Sequence, residues 1–95
     1  MEAVFIVSSD KRVPAEDALR RDDIVSRQSI TLKQASALGF GDGYFIIVQG
    51  TPEAVALAEE LLAGLAQKYD NAAAVLAKLR EEEDRAVEGF GNILG

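Results

Sequence analysis

Apolar positions follow two rhythms along this chain. Ala3-Val4-Phe5-Ile6-Val7 and Tyr44-Phe45-Ile46-Ile47-Val48 are unbroken apolar runs bounded by polar or glycine-rich segments, the pattern of strands buried on both faces. Further on, Val55, Ala58, Leu61, Leu62 and Leu65 recur at helical spacing opposite Glu53, Glu59, Glu60 and Gln67. A second such stripe is formed by Ala72, Val75, Leu76, Leu79, Ala86 and Val87. These patterns predict strands over residues 3–7 and 44–49, and helices over 52–68 and 71–88.

Local punctuation supports the boundaries. Thr51-Pro52-Glu53 supplies an N-cap hydroxyl, a proline at the first helical position and an acid in the first turn. Asp70 and Asn71 offer the next cap. Gly64, inside the first of these helices, costs about 1 kcal/mol relative to alanine and suggests close packing at that point. Pro14, with Glu16 and Asp17 early and Arg20 and Arg21 late, predicts a short helix over 14–21. The segment from Asp22 is less regular: its alternation allows a strand over 25–31, whereas Thr31 and Gln34 form a capping-box pair ahead of Leu32, Ala35 and Leu38. The preferred reading is a short helix ending at Gly39. The fold class is therefore α+β: two layers, with two to three strands (3–7, 44–49 and a third at 25–31) packed against helices at 52–68 and 71–88.

Composition narrows the chemistry. Ninety-five residues, 48% hydrophobic and 27% charged, describe one ordinary globular domain. There is no cysteine and no histidine, which removes thiolate nucleophiles, histidine bases and the usual zinc and iron ligands. The expectation is no catalytic residues, no metal and no cofactor. Glu2 stands where a signal peptide carries positive charge, and no segment approaches the about 18 apolar residues of a membrane span, so a soluble, cytoplasmic protein is expected. Net charge is −6, with six Lys/Arg against seven Asp/Glu in residues 1–47 and four against nine in 48–95. An acidic surface repels a phosphate backbone and argues against nucleic acid as a partner.

Four segments are weighed as sites. Gly39-Phe40-Gly41-Asp42-Gly43 is glycine-rich, but a dinucleotide or phosphate loop needs a strand before it and a helix after it. Here a helix end precedes and a strand follows, so Gly39 reads as a helix stop with Phe40 folded back and Asp42-Gly43 as a turn. The turn at Gly50-Thr51-Pro52 is self-capped. Glu81-Glu82-Glu83-Asp84 lies among Lys78, Arg80 and Arg85 and reads as a salt-bridged helix face. The exit loop of the first strand is the best placed: Ser8, Ser9, Asp10, Lys11 and Arg12, with Arg27 brought near, offer hydroxyls and cations to a small anionic ligand.

Two-sided apolar strands need cover on both faces, from helical segments, the apolar tail Gly89–Gly95 or another subunit. This makes a non-enzymatic protein-interaction module, acting as a homo-oligomer or as a subunit of an assembly, the leading functional expectation. Its interface would draw on Tyr44, Ile46, Val48, Phe90, Ile93 and Leu94. The alternative is the anionic-ligand binder just described.

The stretch YFIIVQGTPEAVALAEELL resembles the closing strand, glycine turn and helix of KH-type RNA-binding domains. KH domains also carry a usually basic Gly-x-x-Gly loop between two helices. Here the glycines precede a strand beside Asp42 in an acidic chain, so RNA binding does not come with the resemblance. The longer run RQSITLKQASALGFGDGYFIIVQGTPEAVALAEELL resembles small uncharacterised archaeal protein families of α+β fold, which implies that fold and no site residues.

Overall fold

The computed structural model describes residues 1–81 of the chain. Strand β1 (Glu2–Val7) leads through a 3-10 turn at Ser9–Lys11 into helix α1 (Arg12–Arg21). A second turn at Val25–Arg27 precedes strand β2 (Ser29–Gln34), and a third at Ala35–Leu38 precedes strand β3 (Tyr44–Gln49). Helix α2 (Pro52–Leu61) and the two-residue strand β4 (Gln67–Lys68) follow. Helix α3 begins at 72 and continues to 81.

All neighbouring strands are antiparallel, in the order β2-β3-β1-β4. Hence β1 and β2 run parallel with β3 between them, and β3 and β4 run parallel with β1 between them. Each parallel pair is joined through a helix. Two interleaved split βαβ units result, the ferredoxin-like strand order.

The α+β class is as predicted, and the two apolar runs are the central strands. Their alternation sends Phe5, Val7, Ile46 and Val48 to one face, where Leu19 of α1 and Val55, Ala58 and Leu62 at α2 close over them. Val4, Phe45 and Ile47 point to the other face, against Leu38, Phe40, Tyr69 and, from α3, Val75, Leu76 and Leu79. The helices predicted at 52–68 and 71–88 therefore lie on opposite sides of the sheet, and the layering is helix, sheet, helix. The cause is β4. The chain leaves α2 at Leu62, turns at Gly64 (φ 80°), pairs with β1 through Gln67 and Lys68, and enters α3 from the far face. Among the described residues no atom beyond its chain neighbours lies within 4 Å of where a Gly64 Cβ would stand, so this glycine marks the end of the helix rather than close packing. The part of the predicted helix beyond 81 lies outside the described residues.

The third strand is Ser29–Gln34 rather than 25–31, and it occupies the place of the helix expected from Thr31. The capping-box spacing was outweighed by the ladder with β3, which pairs Ile30 with Val48 and Leu32 with Ile46. Residues before it form an aspartate-capped turn, in which the Asp22 carboxylate accepts from the Ile24 and Val25 N–H groups, both at 2.9 Å. The helix stop at Gly39 stands (φ 83°) on the single 3-10 turn before it, with the Phe40 N–H donating to the Ala35 carbonyl at 3.0 Å. Phe40 folds back edge-on to Phe45, ring centroids 5.4 Å apart. The Thr51 cap is also formed: its hydroxyl accepts from the Ala54 N–H at 3.2 Å.

The expected interface residues are placed differently. Ile46 and Val48 are fully buried beneath α1 and α2, and Tyr44 is half-buried with the Arg12 guanidinium 5.1 Å from its ring centre. In a sheet with helices on both sides these positions are core. Phe90, Ile93 and Leu94 lie outside the described residues.

Candidate functional site

Where β1 ends, its outer edge is unpaired among the described residues. β4 pairs with Phe5 and Ile6 only, because the chain between Gly64 and Ala66 is still turning out of α2. Beyond Ile6 the outer edge of β1 opens into a cleft of about 510 Å³, lined by Ile6, Val7, Ser8, Ser9, Lys11, Asp42, Gly43, Gly64, Leu65, Ala66 and Gln67. That volume is within the range of about 300–1,000 Å³ usual for small-molecule sites. A second hollow, between α1 and β2 and lined by Leu19, Ile30 and Leu32 among others, measures about 260 Å³ and falls below it.

The ladder leaves a backbone donor at the cleft. On the β4 side of β1 the Val4 carbonyl accepts from the Tyr69 N–H at 2.9 Å. Alternation makes Ile6 and then Ser8 the next residues facing that side. The Ser8 carbonyl is taken by the Lys11 N–H at 3.0 Å. Its own N–H has no hydrogen-bond partner among the described residues. Ser8, with its strand-end donor unpaired among the described residues, Ser9 and Lys11 thus line one rim, and Asp42 stands on the adjoining loop. Half-buried Ile6, Leu65 and Ala66 supply apolar surface between them.

Of the residues predicted for this site, Ser8, Ser9 and Lys11 line the cleft. Asp10 and Arg12 belong to the same loop but do not line it. Arg12 is held over Tyr44 and 3.9 Å from Glu16. The Ser8 hydroxyl, hydrogen-bonded to Asp10, holds that carboxyl below the ordinary aspartate value, with the Asp10 backbone and the Lys11 charge acting the same way. A group titrating lower in the folded than in the unfolded state favours folding above its unfolded value, and this contribution disappears as pH falls through the folded one. Asp10 is fully exposed, so the consequence shows in titration rather than in stability. Carboxyl-detected NMR of Ser8→Ala is expected to show the Asp10 midpoint moving up toward the ordinary value; an unmoved midpoint would contradict the hydrogen bond.

Arg27 is not brought near. β2 runs antiparallel to β3, so Ser29 pairs with Gln49 while Val7 pairs with Tyr44 at the other end, about 17 Å away along the strand. Arg27 instead pairs with Asp23 at 3.3 Å.

Asp42, Gly43, Gly64, Leu65 and Gln67 were not anticipated as lining residues. Gly64 carried the available signal: taken as a helix stop, it would have freed Gln67 and Lys68 to pair with β1. The glycine-rich loop reaches the cleft through Gly43, whose φ is 94° and whose missing Cβ would stand 2.7 Å from the Val7 carbonyl oxygen. Among the described residues no group of three or more acids could hold a metal ion, and no helix is long and apolar enough to cross a membrane. Compared with known protein families, curated proteins and solved structures, the chain shows no match to any of them.

Proposed function

We propose that this protein is a small-ligand-binding domain whose cleft at the end of β1 holds the anionic group of an organic molecule. The observation that carries this reading is a cleft with apolar walls whose rim is lined by Ser8, its N–H unpaired among the described residues, and by Ser9 and Lys11, which carry a hydroxyl and an ammonium group. Backbone N–H groups and a lysine are the donors that carboxylates and phosphates accept from, and the apolar walls give affinity to the remainder of the ligand. The association reading had its motive in a second sheet face needing cover. Leu38, Phe40, Tyr69 and Val75 of the same chain lie on that face, so the motive no longer favours it. RNA is disfavoured by the net charge of −6.

Amide chemical-shift mapping tests the proposal, with isovalerate and L-leucine as apolar carboxylate probes and inorganic phosphate as an anion without apolar surface. The expected result is saturable shifts at Ser8, Ser9, Gly43, Leu65 and Gln67 with at least one carboxylate, leaving Arg27 to Ser29 unmoved. Absence of saturable shifts in the cleft with every probe would overturn the reading.

A further inference from the structure

The cleft rim carries one cation and one anion on neighbouring loops, Lys11 after β1 and Asp42 before β3. Neither forms a salt bridge within 4.0 Å among the described residues, and the Lys11 charge also acts on the exposed Asp10 carboxylate outside the lining. Building on the ligand-site reading above, we infer that the cleft selects a small zwitterion with an apolar body, the chemistry of a free α-amino acid or a dipeptide. Its carboxylate is received by the Ser8 N–H, Ser9 and Lys11, its ammonium group by Asp42, and its side chain by Ile6, Leu65 and Ala66.

Three observations favour this class over a simple anion. A lone lysine with hydroxyl and amide donors matches the single charge of a carboxylate; phosphate sites ordinarily converge more positive charge, often as bidentate arginine. Asp42 would repel a ligand that was only anionic, yet it lies in the lining. The overall charge of −6 opposes the approach of free anions and leaves a net-neutral zwitterion unaffected.

The geometry is also held in place. Gly43 sits against the Val7 carbonyl, and its own carbonyl accepts from the Ala35 N–H at 2.9 Å. The loop bearing Asp42 is thereby fixed to the strand that leads into Ser8. A loop backbone fixed in this way lowers the cost of ordering the site on binding.

The test compares L-leucine with N-acetyl-L-leucine, which lacks the ammonium group, and with L-leucinamide, which lacks the carboxylate, by chemical-shift titration of the full chain. Each truncated probe is expected to bind about fivefold more weakly than leucine, the upper end for a solvent-exposed ion pair. Asp42→Asn should remove the discrimination against N-acetyl-leucine alone, and Lys11→Gln the discrimination against leucinamide alone. Both side chains are exposed, so neither change should disturb the fold, and the wild-type comparison does not depend on them. Leucyl-leucine separates the two sources: tighter binding than leucine assigns the site to dipeptides, weaker binding to single amino acids. If N-acetyl-leucine shifts the cleft amides as strongly as leucine, the zwitterion inference fails while the ligand site stands. If none of the probes shifts them, both fail.

Discussion

Replacing Phe45 with alanine is expected to cost about 3–5 kcal/mol of folding stability. For a domain of this size that corresponds to a fall in melting temperature of about 15–30 °C. Phe45 is completely buried at the centre of the sheet face covered by α3. Its ring meets Tyr69 edge-on at 4.9 Å and Phe40 at 5.4 Å, an arrangement that adds about 0.5–1.5 kcal/mol per pair beyond the area buried. The loss is a large fraction of the total stability, about 5–14 kcal/mol for 95 residues. Phe45→Leu keeps much of the volume and should cost about a third as much. Thermal melts by circular dichroism distinguish the outcomes. A Phe45→Ala protein that melts within a few degrees of the parent would mean that this face is solvated.

Gly43 is the second sensitive position, for a different reason. At φ 94° an alanine pays the left-handed backbone penalty, and its Cβ would be 2.7 Å from a backbone oxygen that cannot rotate away. Gly41 supplies the control: its φ is 100°, but among the described residues nothing beyond its chain neighbours lies within 4 Å of its Cβ position. Gly41→Ala should cost about 1–2 kcal/mol from backbone conformation alone, and Gly43→Ala about 3 kcal/mol or more once the clash is included. Urea denaturation midpoints measure both. Because relief of the clash must move either Val7 or the Asp42 loop, Gly43→Ala should also weaken ligand binding in the cleft, while Gly41→Ala should leave it intact. Equal costs at the two positions would contradict the close approach.

The parts of the fold visible in the sequence are those in which local pattern and tertiary environment agree. The strands at 3–7 and 44–49 are apolar on both sides because helices cover both sides. The Thr51 cap and the Gly39 stop depend only on neighbouring residues and form as expected. β2 was obscured because it is an edge strand: only Ile30 and Leu32 face the core, while Ser29, Thr31 and Lys33 alternate with them, so a capping-box spacing could mimic a helix start. β4 was hidden by its length. Two residues carry no periodicity, and Gln67 continued the polar face of the preceding helix.

The site was legible to a similar degree. Ser8, Ser9 and Lys11 follow a strand at its carboxyl end, where polar residues attract notice. Asp42, Leu65 and Gln67 join them only through the antiparallel order of β3, β1 and β4, a long-range fact that no local window contains. Arg27 was misplaced for the same reason, since its position depends on the direction of β2.

Helix α3 of the same chain closes the second face of the sheet, and the proposed ligand site is the cleft at the end of β1. Isotope-filtered NOE measurements on a mixture of labelled and unlabelled protein test this most directly. They should show contacts from the methyl groups of Val75 and Leu79 to the rings of Phe45 and Tyr69 within one molecule. Contacts seen only between labelled and unlabelled chains, or none at all, would contradict it and return the sheet face to a partner.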